Sequence, residues 1–126
     1  AFKTELETRK HLRGEDVTTD PNSTYSQRVE IEKMRKDLEK EYEKHVMEYL
    51  VDTTNNREMY LVMKRADRSL FDVMNTERFA GRDAARIQEI ARMAASSLGF
   101  MNKRGIIHGD FKPRNYMRTN YETNEW

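Results

Sequence analysis

"IIHGDFKPRNYM", residues 106–117, sets a His, an Asp, a Lys and an Asn within eight residues, inside an apolar frame. Polar groups held between apolar anchors are how a rigid loop presents reactive side chains. The Asp110 carboxylate can orient a hydroxyl and take its proton late in a transfer. The Lys112 ammonium can neutralise charge developing on a phosphoryl group. Asn115 offers a carbonyl oxygen, a hard ligand suited to Mg²⁺. Pro113 fixes φ and stiffens the loop. A base, a cation and a metal ligand are the parts that phosphoryl transfer requires.

Working outward, residues 83–104 carry the strongest helical pattern in the chain. Ile87, Ile90, Ala91, Ala94, Leu98 and Met101 share one face. Asp83 suits the N-cap, Lys103 and Arg104 suit the negative end of the dipole, and Gly105 suits the left-handed C′ position. The small residues of "ARMAASSLGF" predict a closely packed, buried helix. Ser69, with Asp72 three residues on, marks the start of a short helix over 69–75. "HVMEYLV" (45–51) and "EMYLVMK" (58–64) read as two strands, and "DTTNNR" between them as a hairpin turn.

Residues 13–26 hold Gly, Pro, Asn, Asp and several Ser/Thr and read as a loop. Residues 27–45 form a charged helix on which Ile31, Met34, Leu38 and Tyr42 make a narrow apolar stripe. It is a solvated helix with one docking face, or, in the sharper reading, a short coiled coil. Residues 1–12 form another helix, with Phe2, Leu6, Arg9 and Leu12 near helical spacing.

The bulk numbers narrow the function. The chain has 126 residues, 37% hydrophobic and 36% charged, with a mean hydropathy of −1.01. That is one small domain or a piece of a larger one, with a modest core. The net charge of +1 gives no field for nucleic acid or an anionic membrane. The absence of cysteine excludes disulfides and Cys-ligated zinc and fits an intracellular, cytoplasmic setting. No apolar run is long enough to encode a membrane-spanning segment.

The opening stretch resembles the catalytic loop of eukaryotic-type protein kinases, H-R-D-L-K-P-x-N, written here "HGDFKPRN". Five fixed residues match: His108, Asp110, Lys112, Pro113 and Asn115. Chance would produce them in about 3 in 10 million windows. The "DFKPRN" order looks like a serine/threonine kinase. The resemblance implies an α+β protein-kinase-like fold, incomplete, and extends outward. Residues 1–12 look like the family's C helix, in which Glu5 would pair with a lysine of the third strand. Residues 45–63 look like the fourth and fifth strands. Met63 then takes the gatekeeper position. Residues 64–68 look like the hinge, in which Lys64, Arg65 and Ala66 meet adenine through their backbone. Residues 69–104 look like the D and E helices, and 105–119 like the catalytic loop and seventh strand. Residues 13–44 form an insertion.

By the same resemblance, Asp110 is the catalytic base, Lys112 contacts the γ-phosphate, Asn115 binds Mg²⁺ and His108 braces the loop. Glu5, Met63, Lys64 and Ala66 border the ATP site. ATP and Mg²⁺ are the implied cofactors, and a protein hydroxyl is the acceptor. Gly109 departs from the family's Arg, which implies activation that does not depend on a phosphorylated activation loop. The Gly-rich loop, the third-strand lysine and a D-F-G do not occur in the chain. The expectation is therefore the middle of a kinase domain, inactive alone. The alternatives are a pseudokinase or scaffold with a partner-binding helix at 27–45, and a kinase-like phosphotransferase for small molecules.

Overall fold

The computed structural model describes residues 2–52 and 61–126. The chain is α+β and divides into two compact units, Ala1–Met63 and Lys64–Trp126. The described residues form four helices and two small antiparallel sheets.

In the first unit, α1 (Phe2–Arg13) and α2 (Tyr25–His45) pack on each other. The α2 helix starts two residues earlier than its apolar pattern predicts, because a capping box defines its end. The Thr24 hydroxyl accepts from the Gln27 N–H, and Thr24 N donates to Gln27 Oε1 at 2.8 Å. Tyr42 is 1% exposed, and Leu38 lies against Gly14 at the end of α1. The expected docking stripe is thus partly spent inside the chain, while Met34 remains 46% exposed.

His45 belongs to the helix and not to the following strand. The Val46 N–H closes the last turn on Tyr42 O at 2.9 Å, and the His45 ring sits 3.6 Å from Glu41 one turn back. The strand β1 is therefore only Tyr49–Asp52, paired antiparallel with β2 (Leu61–Met63). The expected turn at 53–57 and the start of the second strand at 58–60 lie outside the described residues.

Two arginines of α1 hold this unit together. Arg9 Nη1 donates to Met47 O at 2.6 Å and to Tyr42 Oη at 3.4 Å. Arg13 reaches Glu39 at 2.7 Å and Glu48 at 3.4 Å. Burial opposes the Arg13 charge, but these carboxylates outweigh it and raise its pKa.

In the second unit, β3 (Arg68–Ser69) runs into α3 (Leu70–Glu77), followed by α4 (Ala84–Lys103) and β4 (Met117–Arg118). The core is Val73, Phe79, Ile90 and Tyr116, with Leu70, Met74, Ala94 and Trp126 against it. Each large apolar side chain buried here contributes about 1.5–3 kcal/mol. Ser69 caps α3 as expected, accepting from Asp72 N at 3.2 Å. Asp83 caps α4, accepting from Arg86 N at 2.9 Å.

The α4 helix is amphipathic, not wholly buried. Ile90, Ser97 and Phe100 face inward, while Ile87 is 40% exposed and Ala91 is exposed. Small residues permit close packing from either side, and the second unit supplies one packing surface only. β4 pairs with β3, Arg68 opposite Arg118 and Ser69 opposite Met117, so the segment expected as a strand after the loop is a strand.

Candidate active site

The loop 106–116 hangs between α4 and β4. At its start, Gly105 and Ile106 close the helix, with Ile106 N donating to Met101 O at 3.0 Å. At its far side, it is bonded to the first turn of α3. Leu70 N donates to Tyr116 O at 2.8 Å, and Phe71 N donates to Pro113 O at 3.0 Å. The first N–H groups of a helix have no partner within it. Here loop carbonyls accept them, which fixes the loop backbone from both ends.

Within that frame the polar groups converge on one carboxylate. Lys112 Nζ lies 2.8 Å from both oxygens of Asp110. Asn115 Nδ2 donates to Asp110 Oδ2 and to its backbone oxygen, each at 2.9 Å. Asn115 N donates to Lys112 O at 2.8 Å, closing the turn that makes this convergence possible. The bond from Lys112, its charge, and the Asn115 amide hold the Asp110 pKa below the ordinary carboxylate value, so Asp110 is ionised at neutral pH. Asp110 is 65% and Lys112 49% exposed, which leaves both open to a substrate.

His108 stands behind the carboxylate. Asp110 N donates to its Nδ1 at 3.3 Å, and its ring meets Phe111 edge-on at 5.6 Å. Gly109 between them has φ +73°, a conformation that the Arg of the family pattern would adopt only with strain. Phe111 in turn packs on Tyr116 at 5.4 Å, and Tyr116 stacks on Trp126 at 5.6 Å. An aromatic row thus runs from the loop into the core.

Arg118 anchors the loop's exit. It is 2% exposed. Its Nε donates to Asp67 Oδ2 at 2.8 Å, and its Nη2 donates to Glu77 Oε1 at 2.9 Å. Burial opposes the guanidinium charge, but the bonds to Glu77 and Asp67 outweigh it and raise the pKa. Burial likewise works against the Glu77 carboxylate, and Arg118 and Arg86 override it, so its pKa is lowered. Nothing in the sequence pattern distinguishes Arg118 from the other basic residues. Its role follows from β4 pairing with β3, which carries it between two carboxylates from distant parts of the chain.

The other expected site residues lie elsewhere. Glu5 sits in α1 and accepts from Arg9 Nε at 3.1 Å. Arg9 Nη2 also reaches Met63 Sδ at 3.8 Å, so one guanidinium touches both. Arg9 was legible only as a position on the helical stripe. Lys64 and Ala66 lie in the segment between β2 and β3, Lys64 exposed and Ala66 half-buried. Asp110, Lys112, Asn115 and His108 come together in the second unit, and Glu5 and Met63 in the first.

Among the described residues no three His, Cys, Asp or Glu side chains are grouped to hold a metal ion. Asp110 and Asn115 are the oxygen-bearing pair. Asn115 donates from its amide nitrogen to Asp110, and its Oδ1 is a carbonyl-type oxygen of the kind that ligates a hard cation. That fits Mg²⁺, which takes one or two protein oxygens and completes its shell with water and phosphate. Among the described residues no helix is long and apolar enough to cross a membrane. No family model, curated protein or solved structure matches this chain.

Proposed function

We propose that this chain is part of an ATP- and Mg²⁺-dependent protein serine/threonine kinase with a protein-kinase-like fold. The observation that carries this reading is the exposed Asp110 carboxylate, held by Lys112 at 2.8 Å and Asn115 at 2.9 Å in the order H-x-D-x-K-P-x-N. In the transfer, the acceptor hydroxyl oxygen bonds to the γ-phosphorus as the bond to the β–γ bridging oxygen breaks. The hydroxyl proton passes to Asp110, and ADP carries away the electron pair. The lowered pKa keeps Asp110 ionised, so the carboxylate can accept a hydrogen bond from the hydroxyl and orient it. Lys112 neutralises the equatorial phosphoryl oxygens. Bound Mg-ATP supplies the phosphoryl group with part of its charge already neutralised. Asn115 would hold the metal.

The test is Asp110→Asn in the intact protein. Phosphotransfer to a serine- or threonine-bearing protein falls by about 100-fold or more, the usual worth of a positioned base, while ATP binding is retained. Unchanged phosphotransfer would sink the reading. Transfer to a small-molecule alcohol in preference to protein would replace it with the small-molecule phosphotransferase.

A further inference from the structure

Four charged side chains lie in the stretch 106–118, and three are answered. Asp110 and Lys112 neutralise each other, and Arg118 is held by Asp67 and Glu77. Arg114 is not answered. It is exposed, and among the described residues no carboxylate lies within ion-pairing distance of it. Asp72, in the first turn of α3, accepts from the Ser69 hydroxyl at 2.6 Å.

Arg114 is nevertheless fixed in place. Its guanidinium lies over the Phe71 ring, 3.9 Å from the centroid. Phe71 is itself tied to the loop through its N–H on Pro113 O. A guanidinium stacked by one face keeps its N–H donors in the plane, directed outward from the ring edge. That is a fork for a carboxylate or phosphate, and stacking reduces the entropy lost when it binds. In the chain it adjoins Asn115 and stands two residues from Lys112, on the same turn as the reacting carboxylate.

The geometry points to Arg114 as a specificity residue that receives a carboxylate or phosphate carried by the protein acceptor, close to the hydroxyl presented to Asp110. The enzyme then favours acidic or already phosphorylated segments. This rests on the kinase reading.

The intact protein is assayed with serine peptides identical except for flanks of Asp, Lys or phosphoserine. The expected kcat/KM is about tenfold or more higher with Asp than with Lys, as a charge-assisted fork implies, and at least as high with phosphoserine. Arg114→Glu reverses that order, while Arg114→Lys, which keeps the charge without the planar fork, leaves a reduced preference. Anisotropy of the same peptides labelled with fluorescein, without ATP, reads the preference independently of turnover. Equal kcat/KM and equal affinity for Asp and Lys flanks overturns the inference and leaves the kinase reading standing. So does a preference that survives Arg114→Glu, or an Arg114→Glu effect confined to the KM for ATP. Arg114-dependent binding of the acidic peptide with no phosphotransfer to any peptide overturns the kinase reading instead.

Discussion

Replacing Arg118 with Met keeps most of its bulk and removes its charge and five donors. Three consequences follow from its surroundings. Asp67 loses its Nε and Nη2 partners, Glu77 loses one of two arginines, and the strand pair β3–β4 loses the side chain beneath it. Removing one member of a buried ion pair costs about 3–5 kcal/mol. The low end applies here, because Asp67 is 27% and Glu77 25% exposed, so water partly replaces the lost partner. We expect about 3 kcal/mol. For a unit of this size, with a total stability on the order of 6 kcal/mol, that is about half.

Trp126 is the sole tryptophan and stacks on Tyr116, so its fluorescence follows unfolding of this unit by urea. At a slope of about 2 kcal/mol per molar urea, the midpoint falls by about 1.5 M. The pH dependence supplies a second reading. Glu77 has a folded pKa below its ordinary 4.5, so the unfolded state binds more protons between the two values. Its contribution is fully present above pH 4.5 and is lost as pH falls through the folded pKa. In Arg118→Met this acid loss shrinks but persists, because Arg86 still holds Glu77. A midpoint within about 0.3 M of the parent, with the slope unchanged, would refute the account of Arg118 as the anchor of the loop's exit.

Two further outcomes are expected. Gly14 has φ +84°, and a Cβ there would lie 2.9 Å from Leu38 Cδ1, so Gly14→Ala lowers the stability of the first unit by about 2 kcal/mol in thermal unfolding. Adding Leu38→Ala relieves the steric share and leaves the backbone share, and strictly additive losses would contradict this contact. Lys112→Met raises the Asp110 pKa toward its ordinary 3.8, read from the carboxyl carbon shift by NMR. Because the parent pKa is lowered, the parent stays ionised to lower pH than the variant does; a midpoint that does not move, or moves down, would show that Lys112 does not hold the carboxylate.

Much of the local structure was written in short-range chemistry. Ser69 and Asp83 cap their helices because a side-chain oxygen two or three residues from an unpaired N–H needs no tertiary help. The turn at 112–115 spans four consecutive positions around Pro113, and it brings Lys112 and Asn115 toward Asp110 within a loop that α3 also holds. The candidate site was therefore legible from residue order.

What the order of residues left open depends on distant partners. The exposed side of α4 and the depth of Arg118 are set by which surface each element meets. Helical periodicity marks a face but not what covers it, so Ile87 and Ala91 shared the expected stripe and still lie in water. Arg118 looked like any surface cation until strand pairing placed it between Asp67 and Glu77, 51 and 41 residues away in the chain. Arg114 lies one turn from the Asp110 carboxylate in sequence, yet only the packing of α3 against the loop sets its guanidinium on Phe71 and leaves its donors facing water. Short-range hydrogen bonds form from local order alone, whereas a buried or stacked charge is decided by which residues the fold brings to meet it.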